Sequence, residues 1–381
     1  MLSNFTVLDF SSLGPGPRCT RLLADYGMRV LKIRPPRSGT RMLEPPWFGY
    51  AANRGIDQIH IDLKQLEGVD LVKEMVTEAD VVIESFRPGV AAKLGIAYTD
   101  LEPVNSSIVY CSASGHGQDG PYSDRPAHDL NWLAMCGYLE LGTHRTDGGA
   151  AHPGATVADT VGGYSAAVAI LGALLARNAS GRGCYLDVSV VDAVLRMMFH
   201  NLDSYLAGEG EPRPGGEMLT GGYACYDVYE AQDGRWLAVG AIEPHFWAAL
   251  CRGLGLEHRI PDQFDAARQD ALRAEVAAAF RTRPREHWLT TLGPVACVSS
   301  VNTLPEVLSD PHLASRPLVR DVRLGDKAFQ QMTPRLAVSD PDDLDRQPVG
   351  PTPRDRVDEL LSAFGVDSTR VRSLRDRGIV T

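Results

Sequence analysis

Several features are missing from this 381-residue chain, and each absence narrows what it can be. No CxxC occurs, and the seven cysteines, at 19, 111, 136, 184, 225, 251 and 297, show no ligand-like spacing. They read as free thiols in a reducing cytoplasm, and no metal site is expected from them. No run of Lys or Arg offsets the formal net charge of −10, so nucleic acid is not an expected partner. An anionic ligand would need a local basic cluster. No charged n-region with an apolar h-region precedes the strand-like FTVLDF. The longest apolar run, SAAVAILGALLA, falls short of the ~20 residues of a membrane span. Neither secretion nor membrane insertion is expected, which makes the cytoplasm the expected location. The nicotinamide fingerprint is missing as well. LGPGP, with Gly14 to Pro17, stands in its place without GxGxxG, and LKIRPP puts no acidic residue at the end of the second strand.

What is present is a 44% hydrophobic chain long enough for two domains, because single cores stop growing near ~250–300 residues. The opening segment reads as strand, Gly/Pro loop, amphipathic helix on Leu22, Leu23 and Tyr26, then a second strand, which is a βαβ unit. The alternation continues through LEGVDLVKEMVTEAD, VVIES, PGVAAKLG and SIVYCSASG, so an α/β fold with a doubly wound parallel sheet is expected over residues 1–205. A long helix is expected from Asp159 to Arg177. Residues 206–222, rich in Gly, Pro and charge, read as a linker. Two period-2 runs around a QDG turn predict a hairpin that opens a smaller α+β domain over 223–315, with helices at 244–253, 267–280 and 284–292. Residues 316–381 are proline-punctuated and end in two short helices, expected to return to the large domain.

Basic residues stand near the expected strand ends: Lys32 and Arg34, Lys64, then Arg87 and Lys93. In a doubly wound sheet such ends line the ligand crevice, and as a set they point to a phosphate-bearing ligand. His128, beside Asp129 in RPAHDLNW, reads as a helix cap, a core residue or a proton carrier, with a structural role the commoner for a lone histidine, and Asp129 reads as a cap of the helix that follows. Asp159 precedes a long apolar helix, where it reads either as an N-cap or as a carboxylate kept ionised by the helix dipole. Glu243 leaves a strand just before Pro244 and has the same two readings.

Together, LDFSSLGPGP, DLK, ESFRPGVAAKLG, SGHGQDGP, PAHDLN, VADTVGG, GGYACYDVYEAQDGRWLAVGAIEPHFW, ACVSSV and RVRSLRDRGIV resemble the family III CoA-transferases of the CaiB/BaiF superfamily, and among them the racemase branch. The resemblance implies an interlocked homodimer whose subunits each carry a Rossmann-like large domain and a small one. The active site would lie where the large domain of one subunit meets the small domain of the other. It implies acyl-CoA as substrate, no further cofactor, and a catalytic set of His128, Asp159 and Glu243. The CoA nucleotide is expected against Ile61, Asp62, Leu63 and Lys64, against Ser85, Phe86, Arg87 and Lys93, and against Ala127, Asp129, Leu130, Asn131 and Trp132, with Lys32 and Arg34 nearby.

In racemases of this kind the matching His and Asp face opposite sides of the substrate α-carbon, and in transferases the matching Asp is a nucleophile. The resemblance therefore implies 1,1-proton transfer on a 2-methyl-branched acyl-CoA through an enolate, with CoA transfer through Asp159 or acyl-CoA binding without chemistry as alternatives. An enolate needs donors at the thioester oxygen, such as backbone N–H groups or a helix N-terminus. Glu243 would hold and polarise His128. The sequence departs from the family where a basic stretch before DLK has become NRGIDQ, Asn53 to Gln58. Asp57 there is expected to weaken phosphate attraction unless Arg34 or Arg54 compensates. Trp132 stands where a tyrosine is usual and cannot donate a phenolic hydrogen bond.

Overall fold

In β1 (Thr6–Asp9) successive side chains face opposite ways, and both faces are apolar. Leu8 joins one core with Leu31, Val82 and Tyr110. Val7 joins another with Val30, Val81 and Val109. A strand buried on both faces needs helices on both sides, the usual condition of a parallel sheet. The computed structural model, which describes residues 2–36, 53, 55–142, 152–316, 319–324, 327–332 and 356–381, meets that condition. Strands β1, β2 (Arg29–Arg34), β3 (Asp57–His60), β4 (Val81–Glu84), β5 (Val109–Ser114) and β6 (Cys184–Ser189) form one sheet in the order β3-β2-β1-β4-β5-β6. Every pairing in it is parallel. The order reverses between β1 and β4, and ligands of doubly wound sheets lie beyond the strand C-termini at such a point.

The helices Pro15–Asp25 and Val157–Ser180 cover one face, placing Cys19, Leu23, Ala166, Ala167, Ile170 and Leu174 in its core. The helix Leu66–Val76 and the C-terminal helices Val357–Ser362 and Ser368–Asp376 cover the other. The chain end then closes on β3: Val380 bridges Ile61, and Thr381 and His60 exchange main-chain hydrogen bonds. Asp367 starts the last helix by accepting from the N–H groups of Thr369 and Arg370.

The close approach of the first and the long helix depends on two glycines. A Cβ on Gly163 would lie 2.7 Å from Arg18 Cβ and 2.8 Å from the Pro15 carbonyl oxygen, and one on Gly162 would lie 3.3 Å from Pro15 Cβ. The long helix begins at Val157, ahead of the expected Asp159, and runs to Ser180 before Gly181 ends it in a left-handed turn at φ 70°. By length and composition it is long enough to cross a membrane, contrary to the reading of its apolar run alone, because TVADTVGGYS extends the run without charge beyond Asp159. Its inward face is nonetheless part of the core just described.

Three features escaped the sequence reading. Asp57 and Gln58 lie in β3, and Asp57 pairs with Arg356 at 3.3 Å, so its charge is balanced within the chain. Arg54 lies outside the described residues. An antiparallel hairpin, β10 (Val319–Leu324) and β11 (Lys327–Met332), occupies part of the C-terminal stretch. Strand β9 (Val298–Ser300) falls within ACVSSV.

By its internal contacts the chain divides into a unit of Met1–Cys136, Pro153–Met198 and Pro317–Thr381, and a second of Gly137–His152 and Phe199–Arg316. The second unit has an antiparallel sheet ordered β7-β8-β9, in which β7 (Tyr226–Glu230) and β8 (Trp236–Gly240) form the expected hairpin. The helices Pro244–Leu254, Gln269–Phe280 and Arg285–Leu292 pack on it through Trp247, Leu250, Phe280 and Trp288.

Candidate active site

Parallel strands place all their carboxyl ends at one edge of the large unit, and the candidate residues of that unit collect there. Asp159 is the third residue of the Val157–Ser180 helix, not its cap; Thr156 holds the cap position without a side-chain capping bond. The cap comes from elsewhere in the chain. Asp129 Oδ1 accepts the main-chain N–H of Asp159 at 2.9 Å, so Asp129 satisfies an orphan donor of a distant helix instead of capping its own. His128 opens the helix Asp129–Met135, where its N–H donates to Asn131 Oδ1 at 3.0 Å and its ring makes no capping bond. The ring is exposed.

Arg18, absent from every motif read in the sequence, completes the cluster. Its Nη1 lies 3.3 Å from Asp159 Oδ2 and donates to the Gly14 carbonyl at 2.7 Å, while Nη2 donates to Thr156 Oγ1 at 2.8 Å. Asp159 Oδ1 is buried and has no hydrogen-bond partner. It faces Gly14, whose absent Cβ would sit 3.5 Å away. Burial raises the Asp159 carboxyl above the usual carboxylate range; Arg18 pulls it back, the Asp129 charge adds to the rise, and His128 lowers it. His128 is thus near enough to act on the charge of Asp159.

Lys32 and Ile61 offer no exposed side chain to a ligand. Lys32 is 0% exposed, and its ammonium pairs with the equally buried Asp9 at 2.8 Å and donates to the Ser11 carbonyl at 3.1 Å. The β1–β2 register sets Asp9 directly against Lys32, which turns the ammonium inward. Ile61 is also 0% exposed, locked by its bridge to Val380 and by its N–H bond to the Arg34 carbonyl.

Other expected contacts stand at the carboxyl edge. Arg34 ends β2 and is half-buried. Asp62 and Leu63, half-buried, follow β3, and Asp62 Oδ1 holds the N–H of the exposed Lys64 at 3.0 Å. Beyond β4, the half-buried Ser85 and Phe86 and the exposed Arg87 form a loop anchored where Phe86 N–H donates to the buried Glu84 at 2.6 Å. Lys93 is exposed on the short helix Val90–Lys93. Ala127 is half-buried, Leu130 and Asn131 are exposed, and Trp132 is buried. The Trp132 ring lies on Gly115, where a Cβ would come within 2.4 Å of it, and its indole N–H has no partner. His116 stands edge-on to Trp132 at 6.3 Å and to Tyr122 at 6.4 Å.

Glu243 belongs to the second unit. It occupies the cap position of the Pro244–Leu254 helix through its carbonyl, which accepts from Phe246 and Trp247 at 3.0 Å each, but its side chain makes no capping bond and is exposed. Gln263 Nε2, donating to the Ala241 and Ile242 carbonyls, fixes the strand exit that leads to it. Among the described residues no cluster of three or more His, Cys, Asp or Glu side chains is arranged to hold a metal, and all seven cysteines are free.

With this geometry in place, the family description of CoA-transferase family III matches residues 2–353. The chain belongs to CoA-transferase family III. It is 33% identical over 321 residues to alpha-methylacyl-CoA racemase of Mus musculus, covering 83% of this chain and 81% of that protein. It is 34% identical over 323 residues to acetyl-CoA:oxalate CoA-transferase of Acetobacter aceti, covering 79% and 82%. A solved CAIB/BAIF family protein from Brucella suis shares the fold with a TM-score of 0.78 over 94% of this chain and 98% of that one, at 24% identity. The family III assignment makes this an enzyme of the CoA-transferase and racemase type. Relatives of both reaction types stand at similar identity, so overall similarity does not choose between them.

Proposed function

We propose that the protein interconverts the epimers of a 2-methyl-branched acyl-CoA by moving the α-proton between His128 and Asp159. The observation that carries this reading is the pairing of those two residues: Asp129 ties the helix start that bears His128 to the helix start that bears Asp159, and the charge of His128 acts on the Asp159 carboxyl. The bond between the α-carbon and its hydrogen breaks toward one of them, the electron pair passes to the thioester oxygen as an enolate, and a proton returns to the opposite face from the other. In one direction His128 is neutral and Asp159 protonated; in the other His128 is cationic and Asp159 ionised. Burial of Asp159, which raises its carboxyl, brings the protonated form within reach, as that exchange requires. Each proton-transfer group contributes ~10²–10⁴-fold. The chemistry needs no cofactor beyond the thioester.

Arg34, Lys64, Arg87 and Lys93 supply positive charge for the CoA phosphates in this proposal. Glu243 reaches His128 across an interlocked homodimer, with a second copy covering apolar surface that a single chain leaves bare. Tyr164, Val168 and Leu175 lie exposed along one face of the Val157–Ser180 helix, and no residue of the helix Phe199–Leu206 is buried. Sedimentation velocity tests the dimer. For the reaction, incubation of a panel of acyl-CoA thioesters in D₂O is expected to place deuterium at the α-carbon; no exchange on any of them removes the reading. CoA transfer through Asp159 is the second reading, favoured by the unpartnered Oδ1, and it predicts an acyl anhydride that hydroxylamine traps.

A further inference from the structure

A carboxylate held in place for structure alone has both oxygens satisfied when buried. Asp159 does not. Its Oδ2 faces Arg18, while Oδ1 is buried, bare, and directed at the one residue in the loop without a Cβ. Arg18 is itself held from two sides, by the carbonyl of Gly14 on its own helix start and by the hydroxyl of Thr156 on the helix start of Asp159. Its Cβ lies against Gly163, where a Cβ would come within 2.7 Å of it. The side chain remains 29% exposed, against 13% for Asp159, so the pair lies at the margin of the site and not in the core.

We propose that Arg18 is the positioning residue for Asp159: by gripping Oδ2 it selects Oδ1 as the reacting oxygen and sets the pH range in which that oxygen carries charge. This rests on reading Asp159 as the reacting carboxylate, for proton transfer or for acyl transfer. Among the described residues, three charged or titratable groups act on Asp159. Arg18 comes from the first helix, and Asp129 and His128 come from the start of the Asp129–Met135 helix. Asp129 is committed to the Asp159 N–H and repels the carboxylate; His128 is the proton partner in the racemase reading proposed above. Arg18 is therefore the one permanent cation of the three, and without it burial and Asp129 both favour the protonated acid.

The test is a carbon-13 titration of carboxyl-labelled aspartate in the full-length protein, with the Asp159 signal identified by its loss in Asp159→Asn. In Arg18→Gln the Asp159 midpoint is expected to rise by about 1–3 pH units, the size of an adjacent arginine's effect on an aspartate. Arg18→Lys, which keeps the charge, restores most of the difference, and Arg182→Gln, on an exposed pair with Glu102, leaves the midpoint unmoved. Thr156→Ala removes one anchor without touching charge and gives a smaller shift in the same direction, which keeps the test open if Arg18→Gln does not fold. In the pH profile of isotope exchange or transfer, the limb that reports ionised Asp159 moves with the midpoint; a purely structural role lowers the rate uniformly at all pH. A midpoint unmoved in Arg18→Gln, or in Thr156→Ala if only that variant folds, overturns the proposal. A shifted midpoint in a protein that shows neither exchange nor transfer retains the Arg18–Asp159 pairing and removes only the reaction assigned to it.

Discussion

Lys32→Met tests whether Lys32 serves the fold or the ligand. Methionine matches the length of the lysine stem, so the change removes the ammonium with little change in packing volume. What remains is Asp9, 0% exposed, without its cation. Breaking a buried pair by deleting one partner costs about 3–5 kcal/mol. Asp9 keeps three other donors, the N–H and hydroxyl of Ser11 and the hydroxyl of Thr20, at 2.7, 2.5 and 2.7 Å. These place the expected cost at the lower end, about 3 kcal/mol. For a unit of this size that corresponds to a fall in melting temperature of about 6–12 °C. The assay is thermal and urea unfolding of Lys32→Met and of Lys32→Met with Asp9→Asn, alongside CoA binding measured well below the melting temperature. The double variant is expected to recover most of the lost stability because it removes the stranded charge, and CoA affinity is expected to hold in both. An unchanged unfolding midpoint together with weakened CoA binding would refute the buried-pair reasoning and return Lys32 to the ligand.

Gly163→Ala forces a methyl against Arg18 Cβ and the Pro15 carbonyl; overpacking of this kind costs about 1–3 kcal/mol, and unfolding in urea measures it. Asp159→Asn is expected to abolish exchange and yet raise the melting temperature at neutral pH. Because the carboxyl is raised in the folded chain, the unfolded chain loses its proton first as pH climbs, so Asp159 lowers stability from the ordinary carboxylate pKa upward, and the amide removes that cost. The gain in melting temperature is expected to vanish below the ordinary carboxylate pKa, which calorimetry across pH checks. His128→Gln is expected to lower α-deuterium incorporation by ~10²–10⁴-fold. Transfer activity that survives intact in that variant, trapped with hydroxylamine, identifies the second reading instead.

Local pattern made much of this architecture legible. FTVLDF, the Leu22/Leu23 helix and LKIR predicted the first βαβ unit, and the QDG turn predicted the β7–β8 hairpin, because period-2 and helical repeats are properties of neighbouring residues. Strand β3 was missed because Asp57, Gln58 and His60 have little strand character of their own; its pairing to β2 and the chain end make it a strand. Hairpin β10–β11 lies in a stretch where prolines dominated the reading. The short β9 has too few residues to show a period.

The candidate site divides in the same way. Sequence alone placed His128 and Asp159 at helix starts and the basic residues Arg34, Lys64, Arg87 and Lys93 after strands, since these are matters of local order along the chain. Only the tertiary structure decided which charges meet. Register set Lys32 against Asp9 and took it out of the crevice; Asp129 reached the N–H of a residue thirty positions away; and the paired glycines let Arg18 approach Asp159. A side chain's spacing fixes the direction in which it leaves its own element. Its partner is fixed by how closely a second element can approach, and at Gly162 and Gly163 that depended on two missing Cβ atoms.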